Sequence, residues 1–347
     1  MRTLDWSACG IRLIDQNRLP DEELFLMVRE VDELVAHIQS LAVRGAMALG
    51  VAGALGMALA AVRAKERGED LDAALDEAAT KLSNSRPTAV NLSIGVENVA
   101  RARREGAGVA ELVEVALAMR DADIEANLAI GLRGAELLRG ARRILTHCNA
   151  GALAGVEHGT ALSVVMALQR EQPLDVVYVC ETRPLLQGVR LTAWELARGG
   201  VEHRVIVDAA AAGLMLGGEV DAVVVGADRI AANGDVANKV GSLSHALAAH
   251  RAGIPFVVAA PEDTIDAGTA SGADIPIEYR SESEVLTFEG REIGPPKSKA
   301  LNPAFDVTPA DLVTAVVTQR RTILPATDQV APALPHPDTT GVCPSTP

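Results

Sequence analysis

In the first part of the chain, hydrophobic side chains recur every three to four residues, the spacing that lines them along one face of a helix. Helices are predicted over Val31–Ser40, Gly45–Arg67, Leu71–Ser83, Ala89–Glu105 and Gly108–Leu137. Pro20-Asp21-Glu22-Glu23 reads as a further helix start, with proline and acids in the first turn. Only Met1–Gln16 reads as short strands and a turn. From Arg142 the rhythm changes. Short β-branched runs at Arg143–Thr146, Asp175–Cys180, Arg204–Val207, Asp221–Val225 and Pro255–Ala259 alternate with helical stretches. Those stretches are about Gly159–Gln169, Gln187–Arg198, Ala209–Gly217 and Lys239–Ala252. Such alternation predicts a parallel, doubly wound sheet. The expected fold class is α/β, with a mainly helical domain over 1–140 and a sheet domain over 141–323. Residues 324–347 hold many prolines and few large apolar side chains, and read as a disordered tail.

Three predicted strands run out into polar clusters: His147-Cys148-Asn149-Ala150-Gly151, Glu181-Thr182-Arg183-Pro184, and Gly226-Ala227-Asp228-Arg229. Asn233-Gly234-Asp235 and Asn238-Lys239 follow the third. In open parallel sheets, ligands bind in the crevice outside the carboxyl ends of the strands. A thiol, carboxylates, cations and glycines at that edge suit a small anionic ligand.

Composition narrows the choices. Ala, Val, Leu and Gly dominate and aromatics are scarce, which suits closely packed helices. The formal charge of −14 argues against a general nucleic-acid or acidic-membrane surface. Gly45–Val62 is uncharged and about as long as a membrane span. Its Ala/Gly content, with Arg44 and Arg63 at its ends, reads instead as a tightly packed buried helix. No secretory signal is visible at Met1–Gly10. Cys9, Cys148, Cys180 and Cys343 lack CxxC spacing and read as free cytoplasmic thiols. The seven histidines show no metal-ligand spacing, and there is no GxGxxG, GxxxxGK[ST] or GxSxG.

Residue by residue, alternatives stay open. Cys148 is either a small side chain filling the sheet edge or a thiol whose pKa nearby helix N-termini and His147 lower. Cys180, inside an apolar run, reads as core. Asp228 is either a general acid or base, with pKa raised by partial burial, or a cap for the next helix paired with Arg229. Asp208 and Glu181 read as capping or positioning groups. Arg44-Gly45-Ala46 precedes a helix whose first N–H groups suit an anion; otherwise Arg44 is a surface end-cap. Arg86-Pro87-Thr88 resembles a second cationic turn, with Thr88 as N-cap. Asn238-Lys239 reads as the start of a third phosphate-facing helix.

Together these motifs resemble the methylthioribose-1-phosphate isomerase family, which is related to the regulatory subunits of translation initiation factor 2B. The matching segments include Arg44-Gly45-Ala46, Arg86-Pro87-Thr88-Ala89-Val90-Asn91-Leu92, Thr146–Gly151, Glu181–Pro184 through Gln187–Leu196, Gly226–Lys239 and Asn302–Pro309. They span roughly Asp5 to Gln319. The resemblance implies a helical N-terminal domain, a Rossmann-like C-terminal domain and a homodimer, and the isomerisation of a phosphosugar that it implies requires no cofactor or metal. It implies Cys148 and Asp228 as the catalytic pair. It assigns Arg44, Gly45, Ala46, Arg86, Gln187, Asn238 and Lys239 to a phosphosugar substrate. Three positions depart from the family pattern: Met47 where proline is usual, Ser93-Ile94 where aromatics are common, and Ser242-Leu243 where Thr-Tyr is typical. All three leave the pair intact and bear on the sugar's 5-substituent. The other reading is a regulatory dimer that senses a phosphosugar without turnover.

Overall fold

The computed structural model describes residues 1–86, 89–288 and 290–331. Three antiparallel strands open the chain: β1 (Leu4–Ser7), β2 (Gly10–Ile14) and β3 (Phe25–Val28). Pro20 and Asp21, expected to start a helix, form a turn instead. Ile14 pairs with Phe25 across β2 and β3, so the intervening residues must reverse the chain. Five helices follow: α1 (Val31–Gln39), α2 (Ala46–Arg67), α3 (Leu71–Ser85), α4 (Val90–Arg104) and α5 (Val109–Leu137). Pro87 and Thr88, with the N-cap assigned to Thr88, lie outside the described residues.

α2 is the centre of this helical region. It is long and apolar enough to cross a membrane, yet 78% of its apolar window is buried against the rest of the chain. Its glycines explain how. A Cβ on Gly53 would lie 2.7 Å from the Leu92 carbonyl oxygen, and one on Gly95 of α4 only 1.9 Å from the Gly50 carbonyl oxygen. The two backbones touch, which only glycine permits. Gly95→Ala is expected to force α2 and α4 apart and cost about 1–3 kcal/mol or more. A thermal melt showing an unchanged midpoint would contradict that packing.

The second region alternates strand and helix: β4 (Arg143–Thr146), α6 (Ala161–Glu171), β5 (Val176–Cys180), α7 (Ala193–Arg198), β6 (His203–Ile206), α8 (Ala211–Leu216) and β7 (Ala222–Val225). Then come β8 (Arg229–Ala231), β9 (Val236–Lys239), α9 (Ser242–Ala252), β10 (Phe256–Ala259), β11 (Ile265–Asp266) and α10 (Ser283–Leu286). The last elements are β12 (Thr287–Phe288), β13 (Arg291–Glu292), β14 (Phe305–Thr308), β15 (Ala315–Val317) and β16 (Thr322–Ile323). The main sheet runs β16-β15-β10-β7-β4-β5-β6, parallel except for edge strand β16. Counting only its parallel strands in chain order gives 3-2-1-4-5-6, the doubly wound arrangement. β5, β7 and β10 are buried at every residue, as strands covered on both faces must be. The strand order reverses between β4 and β7, so the ligand crevice falls beyond Thr146 and Val225. Gly131 and Gly134 let α5 lie directly on Ser163 and Val164 of α6, joining the helical region to the sheet.

Two expectations change. Asn238 and Lys239 end strand β9 rather than opening a helix. β9 pairs with β14, placing Asp306 opposite Asn238; its carboxylate accepts from the Gly241 and Leu243 N–H groups and delays the helix to Ser242. The first residues of the expected tail, 324–331, are described and pack against the sheet region. Val330 and Ala331 are buried, and Arg321 Nη2 donates to the Val330 carbonyl at 2.7 Å. Cys343 lies outside the described residues.

Candidate active site at the strand switch point

Cys148 stands two residues past β4 and holds a left-handed backbone, φ 62°. A β-carbon makes that conformation costly, so neighbouring structure must impose it. Two threonines do so. The Cys148 N–H donates to Thr182 Oγ1 at 2.9 Å, and Thr192 Oγ1 donates to the Cys148 carbonyl at 2.6 Å. Thr182, itself at φ 67°, is held by Asp208, whose two oxygens accept the Thr182 and Arg183 N–H groups at 2.8 Å each. Asp208 is therefore a positioning group, in line with the sequence reading.

Asp228 stands three residues past β7, on the other side of the strand reversal. Its N–H donates to the Ala237 carbonyl at 2.9 Å, and the residue is exposed. No helix follows for it to cap. Arg229 pairs with Asp266 at 3.4 Å. Surrounding protein nonetheless removes enough water to push its carboxyl above the usual range; Lys239, Arg86 and Arg44 pull it back. Cys148 corrects an expectation. Burial raises its thiol pKa, and the opposing pull of Lys239 and Arg44 does not reverse that. The resting group is a thiol, because the walls of the site outweigh its cations.

The cations surround this pair. Arg44 Nη2 donates to Asn149 Oδ1 at 2.8 Å, and burial lowers the guanidinium's pKa while Cys148 and Glu195 sustain its charge. Half-buried Arg86 lies within electrostatic reach of Asp228 and Glu278. Lys239 Nζ donates to the Ala304 carbonyl at 2.8 Å and sits 4.8 Å above the Phe305 ring. Gly45, at φ 98°, lets α2 begin against the loop after Cys148; a Cβ there would lie 2.5 Å from Ala154 Cα. Ala46 is then the first helical residue. Gln187 is buried, and its Oε1 has no partner among the described residues. Asn238 Nδ2 donates to Ser242 Oγ at 2.8 Å. Arg44, Arg86, Cys148, Asp228 and Lys239 thus share one field, with no hydrogen bond to Gln187 or Asn238 among the described residues.

His147 turns away from the cleft. Its Nε2–H donates to the Val240 carbonyl at 2.9 Å, leaving Nδ1 to accept from His245 Nε2–H at 3.2 Å. Burial lowers the two imidazoles to about 4 and about 3, so both are neutral near pH 7. With Cys180 they form the one set of three ligand-type groups, among the described residues, whose atoms lie within 4.8 Å of one another. His147 uses both ring nitrogens in hydrogen bonds, Nε2 on Val240 and Nδ1 on His245.

Sequence reading gave no role to Thr182, Thr192, Glu195 or Glu278. Thr192 and Glu195 are brought to the Cys148 loop by a π-helical turn over Gly188–Thr192 that runs into α7. Such turns cluster at functional sites.

Residues 42–324 match the Initiation factor 2 subunit family. A methylthioribose-1-phosphate isomerase from Anaeromyxobacter sp. (strain Fw109-5) is 50% identical over 310 residues, covering 89% of this chain and 90% of its own. The chain belongs to the methylthioribose-1-phosphate isomerase family. A solved member, 5-methylthioribose 1-phosphate isomerase from Pyrococcus horikoshii OT3, superposes with a TM-score of 0.88 at 42% identity over 93% of this chain and 92% of that one. A structure titled translation initiation factor eIF-2B, subunit delta, from A. fulgidus gives 0.84 at 42% identity over 94% and 96%. The curated isomerases of the family are enzymes acting on a sugar phosphate, and membership makes this chain a sugar-phosphate isomerase.

Proposed function

We propose that the protein converts 5-methylthioribose 1-phosphate, or another 5-substituted 5-deoxyribose 1-phosphate, to the corresponding ribulose 1-phosphate. One observation supports the residue assignment: past the two strands at the reversal, a thiol and a carboxyl lie within electrostatic reach of each other, Lys239 and Arg44 act on both, and Arg86 acts on the carboxyl. The cations suit a phosphate. Asp228, protonated, gives its proton to the ring oxygen as the C1–O bond breaks, leaving an electron-poor C1. Hydrogen then passes from C2 to C1, and the C2 hydroxyl loses its proton to become the ketone.

Two routes move that hydrogen. In one, the Cys148 thiol first gives up its proton to solvent, the resulting thiolate beside Arg44 and Lys239 takes the C2 proton, and an enediol is reprotonated at C1. In the other, the C2 hydrogen shifts directly as hydride and Cys148 polarises the site. Turnover in deuterated water separates them: deuterium at C1 of the ketose marks the enediol, and its absence sinks a freely exchanging one.

The 5-substituent is the open half of the specificity. Met47 lies in the first turn of α2, Ile94 is exposed on α4, and Ser242 receives the Asn238 amide. Rates with methylthioribose 1-phosphate and 5-deoxyribose 1-phosphate, measured side by side, rank the substituents. We read the working form as a cytoplasmic homodimer, consistent with free Cys9, Cys148 and Cys180. The likeness to the subunit titled as an initiation factor favours a second reading, binding without turnover. It predicts that Cys148→Ala changes nothing measurable.

A further inference from the structure

Glu195 sits on α7 behind the Cys148 loop. Its Oε2 accepts the Ala152 N–H at 2.7 Å; its Oε1 accepts Asn149 Nδ2 at 2.8 Å and the Leu153 N–H at 3.3 Å. Gly151 passes so close that a Cβ there would lie 2.3 Å from Oε1. Asn149 uses its other end on the reaction side, where Oδ1 accepts Arg44 Nη2 at 2.8 Å. Its Nδ2 also donates to Thr192 Oγ1 at 3.2 Å, and that hydroxyl donates to the Cys148 carbonyl.

A carboxylate only accepts, whereas an amide has a donating end and an accepting end. Glu195 therefore dictates which way Asn149 points. Because Glu195 takes the NH2, the oxygen must face Arg44. We infer that Glu195 is a positioning residue: through the fixed polarity of Asn149 it holds the Arg44 guanidinium beside Cys148, where the substrate's phosphate binds. This rests on the phosphosugar reading above. It also gives the half-buried arginine a negative charge one residue away. Burial pushes the Glu195 carboxyl up, and its three donors and Arg44 pull it back.

Glu195→Gln tests the polarity. The substituted amide keeps its oxygen on the Ala152 N–H, the shorter of the two backbone bonds at 2.7 Å against 3.3 Å for Leu153, so its NH2 takes the place of Oε1 and faces Asn149. Asn149 then flips and presents NH2 to Arg44. A phosphate contact persists from ground state to transition state, so its loss raises KM more than it lowers kcat. We expect KM to rise about tenfold or more, the affinity for inorganic phosphate measured by calorimetry to fall alongside it, and kcat to change less. The double variant Asn149→Asp/Glu195→Gln relocates the carboxylate: the amide on α7 donates to one of its oxygens and Arg44 donates to the other. It should recover most of the lost KM and phosphate affinity. A merely structural Glu195 would show no such recovery. Unchanged KM and phosphate affinity in Glu195→Gln overturns the inference, as does failure of the double variant to exceed the single one in phosphate affinity when both melt cooperatively. Absence of turnover in the unmutated protein instead overturns the isomerase reading, while the phosphate titrations still decide the role of Glu195.

Discussion

Cys148→Ala and Asp228→Asn are each expected to cut kcat/KM about a hundredfold to ten-thousandfold, the range for removing a positioned proton-transfer group. The fold should survive both. Cys148 is held by its backbone N–H and carbonyl rather than by its sulfur, and those bonds to Thr182 and Thr192 remain in the alanine variant. Asp228 is fixed by its N–H on Ala237 and is exposed, so an amide of the same size fits. Asparagine keeps the shape but has no acidic proton to give to the ring oxygen. The pH profile carries a second signature. Asp228 acts as the acid, so activity should fall as pH rises through its raised pKa, and that limb should vanish in Asp228→Asn. Steady-state kinetics across pH on folded variants checks both statements. Full activity in either variant contradicts the assigned roles.

Stability should respond to pH through two buried elements of opposite sign. His147 and His245 titrate near 4 and 3 when folded, against about 6.5 in an unfolded chain. Their folded pKa values are depressed, so the stability linked to them is present above about pH 6.5 and lost as pH falls through 4. At about 1.4 kcal/mol per pH unit, His147 alone accounts for about 3 kcal/mol. Asp123 works the other way. Burial raises its carboxyl to about 7 against the pull of the Val156 N–H. Its contribution is complete below about pH 4, the unfolded value, and is lost as pH rises through 7. The two effects overlap between pH 4 and 6.5 and partly cancel, so variants must separate them. In urea unfolding, Asp123→Asn should gain on the parent from pH 5 to pH 8, and His245→Leu should lose less than the parent from pH 7 to pH 4.5. Parallel stability curves would contradict the assignment.

The fold was legible where one physical signal dominated. Buried parallel strands are continuous β-branched runs, so β4, β5, β7 and β10 were found within a residue or so. α2 was readable as a packed core helix because its glycines and alanines have no other use. The β8–β9–β14 sheet was not, since Lys239 reads locally as a helix start and only pairing with Phe305 across the chain makes it a strand. The site divided in the same way. Cys148 and Asp228 were legible as strand-end candidates, each with an alternative open, and only the family resemblance joined them as a pair. Their pKa values depend on neighbours far along the chain, which is why Asp228 moves as anticipated and Cys148 moves the other way. Glu195 escaped because a glutamate on a helix gives no local sign that it will accept two N–H groups from a loop more than forty residues earlier.

The most direct test of the central claim is phosphorus NMR of the purified protein with methylthioribose 1-phosphate, alongside Cys148→Ala. The account predicts that the aldose 1-phosphate signal gives way to a ketose 1-phosphate signal with the parent protein and persists with the variant. A folded parent protein that binds the sugar phosphate and leaves its signal unchanged would contradict it.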